Sequence, residues 1–146
     1  MDAKDIIAFA NDIKNTCGTN DPMVIAERLG IHVLVRKANV KGFKAHTIQM
    51  EGYPTVISVN AAYTPGSRVV LCAHELGHAL LHQKQLINYF DNMRAKDIHS
   101  TLEYEANLFA VALLSTEVQY NIPLHEMSGS VLKHIVEYNL RTKKQY

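Results

Sequence analysis

Apolar and polar positions change rhythm three times along the chain. Residues 2–15 place Ile6, Ile7, Ala10 and Ile13 at helical spacing. Gly18 and Asn20-Asp21-Pro22 then interrupt the pattern, with Asp21 suited to cap a second helix and Pro22 to begin it. That helix is expected to stop near Gly30. From Ile31 the rhythm becomes that of strands: Ile31–Val35, Phe43–Met50 and Thr55–Val59, with turn chemistry at Lys41-Gly42 and at Glu51-Gly52-Tyr53-Pro54. Short turns between consecutive strands predict a small antiparallel sheet of about three strands. Thr64-Pro65 opens another helix. Its residues 67–83 are apolar around the whole cylinder, as in a helix buried on all sides. Residues 84–99 are mixed and give no clear pattern. Helices are expected again from Thr101 to Leu114 and from Ser130 to Leu140, followed by a frayed basic tail, Arg141 to Tyr146. Helices, sheet, then helices make the predicted fold α+β.

Bulk properties narrow the picture without deciding it. A length of 146 residues suits one domain, 1–146, with its own core. Apolar residues make up 47% and charged residues 20%, as in ordinary globular chains. A net charge of +1 gives no strong field for nucleic acid or an anionic membrane, so neither is expected as a partner. Cys17 and Cys72 form no C-x-x-C pair, and the apolar run near Met1 is too short for a secretory signal. The expected compartment is the cytoplasm. Eight histidines are many for such a chain, and histidine is the commonest metal ligand.

Two of them stand in the sequence His74-Glu75-Leu76-Gly77-His78. On a helix His74 and His78 lie one turn apart, about 40° around the axis, and Glu75 lies about 60° from His78. Two imidazoles can then hold one ion with a carboxylate beside it, the arrangement of H-E-x-x-H zinc peptidases. Zinc on three protein ligands keeps a position for water and brings its pKa to roughly 7. A neighbouring carboxylate, here Glu75, can act as general base. Three such groups on an otherwise apolar helix would be costly to bury without partners. The plainer reading, three satisfied polar residues on a helix, does not account for that cost.

A third ligand is needed. The metzincin spacing is excluded, because position 84 is Lys84 and position 81 is Leu81. His82 is carried along the axis by a continuing helix and reads as a histidine that supports the site from behind. On the next helix Leu102, Ala106, Phe109 and Leu113 form the core stripe, with Glu103 and Glu105 flanking it. Periodicity does not choose between these two. Glu103 also completes a capping box with Ser100, and Glu105 could simply face solvent.

The segment from His74 to His82, followed by Glu103-x-x-Ala106-Asn107-x-Phe109-Ala110 and Leu113-Leu114, resembles the ImmA/IrrE family of metallo-endopeptidases. Val59-Asn60 and Arg68 fit the same family, and the likeness spans roughly residues 25–115. The chain departs from it where Ser115-Thr116-Glu117 follows the Leu-Leu pair, a place where a proline is common. The resemblance implies a zincin-like fold of gluzincin type and one zinc ion on His74, His78 and Glu103. Asn107, four residues after the ligand glutamate, would then support a zinc-bound histidine. It further implies cleavage of a helix-turn-helix repressor of phage or mobile-element type, which makes the protein an anti-repressor. The competing reading is a non-catalytic zinc-binding module that holds a repressor or antitoxin; a purely structural zinc closes all four positions and needs no Glu75. Tyr104, Tyr120 and His125 are candidate oxyanion stabilisers. His32, His46, His99, His125 and His134 are not expected to be ligands.

Overall fold

The computed structural model describes residues 1–37, 43–82, 95–116 and 119–143. Helix α1, Ala3–Cys17, is closed at its start by reciprocal bonds between Asp2 and Asp5 and at its end by Gly18 at φ 66°. Helix α2, Pro22–Arg28, begins as the sequence predicts, with the Asp21 side chain accepting from Met23 N–H. Strands β1 (His32–Arg36), β2 (Ala45–Ile48) and β3 (Val56–Asn60) follow. Helix α3, Pro65–Leu81, is capped by Thr64; α4 spans Ala95–Leu114; α5 spans Gly129–Tyr138 after a single 3₁₀ turn at Leu124–Glu126. The α+β class holds.

The sheet departs from the expected pairing: its order is β1-β3-β2, with β1 parallel and β2 antiparallel to β3. Only β2 and β3 form a hairpin, turning at Gly52 with φ 82°. β3 is central because Ile57, Ser58 and Val59 are all fully buried. A strand covered on both faces reads as near-continuous apolar sequence, and that of β3 does. β1 then takes the free edge of β3 rather than pairing with its neighbour in sequence.

Two further expectations are corrected. Helix α4 starts at Ala95 instead of Thr101, so Ser100 lies inside it and forms no capping box with Glu103. Extending an established helix by one residue costs little, whereas nucleation is dear, and Ala-Lys-Asp-Ile does not oppose extension. The rest of the unpatterned stretch, 84–94, lies outside the described residues. The first residues of the tail, 141–143, are better held than fraying predicts, and 144–146 lie outside the described residues. Arg141 N–H donates to Ser67 Oγ, and Thr142 bridges to Tyr63.

The core lies where α1, α3, α4 and the sheet meet, filled by Ile6, Ile25, Ile57, Leu76, Leu108, Phe109 and Leu113. Helices α3 and α4 cross at Gly77. A Cβ there would sit 3.2 Å from the Ala106 backbone and from Phe109 Cβ, so glycine sets how closely α4 approaches. Among the described residues, no helix is long and apolar enough to cross a membrane.

Candidate metal centre

The α3–α4 crossing explains how one helix presents two glutamates to different places. Glu103 and Glu105 are about 200° apart around α4. With Ala106 against Gly77, Glu103 falls on the side of His74 and His78, and Glu105 falls on the side of His82. His74 Nε2 is 3.1 Å from Glu103 Oε2, and His78 Nε2 is 2.9 Å from Glu103 Oε1. One donor atom from each of the three lies within 4.8 Å of the others, which makes them the one such cluster among the described residues. Tetrahedral donors about 2.0–2.1 Å from a zinc ion stand roughly 3.3 Å apart, so the set fits a divalent ion with little movement. The donor types, two imidazoles and a carboxylate, suit zinc and several other divalent metals.

The electrostatics point the same way. Burial by itself would raise the Glu103 carboxyl, but hydrogen bonds and charge from His74 and His78 outweigh it and hold the group well below the usual carboxylate range. Burial would lower His74, yet Glu103, then Glu75 and Asn107, more than reverse this and raise it above 6.5. The Asn107 side chain is therefore against His74. His74 Nδ1 is buried with no hydrogen-bond partner among the described residues. Glu75 is buried at 8% exposure. The Thr47 hydroxyl on β2 lies 3.2 Å from its Oε2 and 3.1 Å from its main-chain oxygen. Gln49, just past the end of β2, donates to the Ala79 carbonyl at 3.2 Å. These bonds tie β2 alongside α3.

His74, Glu75, Glu103 and Asn107 all line a cavity of about 620 Å³, whose far wall comes from α5 through Lys133, Val136 and Glu137. Tyr104 reaches this wall, and burial together with the charge of Glu105 raises its phenol. Tyr120 does not line it; its hydroxyl pairs with Ser115 Oγ beside a separate pocket. His125 does not line it either and stands 3.9 Å from Glu126. His99 lines the cavity without joining the donor cluster, because α4 begins early enough to carry it there. Thr47 and Lys44 were missed. Both lie in or beside a strand, and nothing local in the sequence says which strand runs next to α3. Cys72, on the buried face of α3, has its thiol pushed up to about 12 by burial and by Asp21 and Glu75, which leaves it inert at neutral pH.

Residues 26–130 match the family model of the IrrE N-terminal-like domain, Peptidase M78. The chain belongs to the ImmA/IrrE metallopeptidase family. The matched stretch contains every residue of the centre, from Thr47 to Asn107. Metallopeptidase ImmA of Bacillus subtilis (strain 168) is 28% identical over 138 residues, covering 93% of this chain and 78% of that protein. No solved structure matches the chain. A metallopeptidase family implies a metal, and His74, His78 and Glu103 are the set of side chains placed to hold one among the described residues.

Proposed function

We propose that the chain is a zinc-dependent endopeptidase in which His74, His78 and Glu103 hold the metal and Glu75 is the general base. The observation that carries this reading is the convergence of three donor atoms from α3 and α4 at the wall of a cavity that Glu75 also lines. Zinc, when bound, would supply Lewis acidity and bring the pKa of a water on it to about 7. The remaining work falls to the chain's own side chains. Glu75 accepts the proton of the attacking water and passes it to the leaving amine. Thr47 holds Glu75 by one oxygen, and among the described residues the other makes no hydrogen bond. Asn107, behind His74, favours the orientation in which that imidazole turns Nε2 to the metal. His82 stands behind His78 in the same manner.

Strand β2 suits an extended peptide. Lys44 O accepts from Asn60 N–H, so alternate residues of β2 turn their peptide groups toward β3. Those of Ala45 and Thr47 therefore face outward, and Ala45 lines the cavity. Among the described residues no strand occupies that edge. A substrate segment adding there would form main-chain bonds to Ala45 and Thr47 and run past Glu75. The substrate we propose is a helix-turn-helix repressor of phage or mobile-element type, encoded near this protein and met in the cytoplasm; family resemblance supports this extension. The test is incubation of the zinc-loaded protein with such a repressor. Cleavage that Glu75→Gln abolishes while keeping zinc supports the reading. Equal cleavage by that variant would remove Glu75 as the base. Tight repressor binding without any cut would favour a zinc-holding binding module instead.

A further inference from the structure

Behind the metal-facing edge of His78 runs a buried chain of two more groups. His78 Nδ1 is 3.0 Å from His82 Nδ1, and His82 Nε2 is 3.4 Å from Glu105 Oε1. His82 is 3% exposed and Glu105 7%. His82 Nε2 and Glu105 Oε1 are both buried 3.4 Å apart, and among the described residues neither has a well-aligned hydrogen-bond partner, so each is the nearest group that could satisfy the other. A carboxylate buried in this way without purpose would be costly, and its replacement by an apolar side chain is often neutral or stabilising.

We propose that Glu105, acting through His82, is a positioning residue that sets the tautomer and ring orientation of His78 for metal. The inference rests on the metal site proposed above. The proton arrangement follows by elimination. If His78 turns Nε2 to a metal, its only ring proton is on Nδ1. Nδ1–H then donates to His82 Nδ1, which must be bare. The proton of His82 is thereby placed on Nε2, facing Glu105. A carboxylate only accepts, so Glu105, 3.4 Å away, is the acceptor that a small turn of either side chain would bring into line with that proton. No other neutral assignment leaves Nε2 of His78 bare and still lets it donate to His82 at 3.0 Å. Such outer partners fix ring orientation and strengthen the ligand's basicity. The two glutamates of α4 thus divide the work: Glu103 meets the metal directly, and Glu105 aligns a histidine from the opposite side of the helix crossing.

The experiment is zinc affinity, by competition with a chromophoric chelator, for wild type, Glu105→Gln and Glu105→Leu, with folding checked by circular dichroism. Glu105→Leu should weaken zinc roughly 10–100-fold, and Glu105→Gln, which keeps an acceptor without the charge, should fall between. Metal-free Glu105→Leu should melt no lower than wild type, which separates alignment from packing. Nitrogen-15 NMR of zinc-loaded wild type should show His78 protonated on Nδ1 and His82 on Nε2, and this needs no variant. Wild-type zinc affinity in a folded Glu105→Leu overturns the proposal, as does a His82 proton on Nδ1 in the loaded protein. Zinc uptake by wild type with insensitive variants would remove the aligning role alone. No zinc uptake by wild type would remove the metal site and this role together.

Discussion

The two sides of the metal-site cavity are built differently. On one side α3 and α4 press together at Gly77 and Ala106, and the side chains that follow, Glu105, Ala106, Asn107, Leu108 and Phe109, are all buried. On the other, α5 contributes Lys133 and Glu137, exposed and 3.9 Å apart, with Val136 beneath them. A helix crossing at close contact fixes donor atoms to within tenths of an ångström, which metal geometry demands. A wall of exposed, long side chains can adjust to a peptide. The contrast teaches that precision sits where backbone meets backbone, and that adaptability sits where side chains meet solvent.

The largest break in that comparison should come from Glu103→Ala, which is expected to reduce zinc affinity by more than the roughly 10–100-fold typical of an outer partner. Lys133→Ala on the opposite wall should leave zinc affinity unchanged and alter only KM for substrate. Isothermal titration and steady-state kinetics check both. If Lys133→Ala were to lower zinc affinity as well, the two walls would not be independent.

Gly77→Ala tests the crossing itself. The new methyl group would meet the Ala106 backbone at 3.2 Å, so α4 must move. Overpacking of this kind costs about 1–3 kcal/mol, and Glu103 would shift with the helix. Thermal melting and zinc titration should both fall. Gly66→Ala, at the start of the same helix, meets nothing within 4 Å and serves as the control. It should leave both unchanged or gain up to about 1 kcal/mol from helix propensity.

A smaller effect is a sign change with pH. In metal-stripped protein His74 is raised above 6.5 by Glu103, so the stability it adds is present below that value and is lost as pH rises through its folded pKa. Glu103 is depressed, so its contribution is present above about 4.5 and is lost only as pH falls through the lower folded value. Stripped protein should therefore lose stability from about pH 6.5 upward. Zinc-loaded protein should gain over the same range, because metal needs His74 unprotonated and must displace its proton. Melting temperatures across pH 5.5 to 8, with and without chelator, would show the two slopes; parallel slopes would mean that His74 does not face the metal.

Much of this was legible in local sequence. The caps at Asp21 and Thr64, the prolines that follow them and the five-residue motif on α3 act over a few residues, where spacing alone sets the geometry. The capping box of Asp2 and Asp5 was there to be read as well, but an aspartate replaces the usual glutamate and hides it.

By itself, then, the sequence determined the α+β class, the buried helix and the face that carries His74, Glu75 and His78, since each follows from a period of 3.6 or 2 residues. Tertiary structure alone decided the rest. The close contact of Gly77 with Ala106 sends Glu103 and Glu105 to opposite sides of α4, a choice that periodicity leaves open because both flank the core stripe equally. Burial of β3 on both faces placed it between β1 and β2, and so set β2, with Thr47, beside Glu75. Such partnerships depend on the free energy of joining surfaces distant in sequence, which no local window contains.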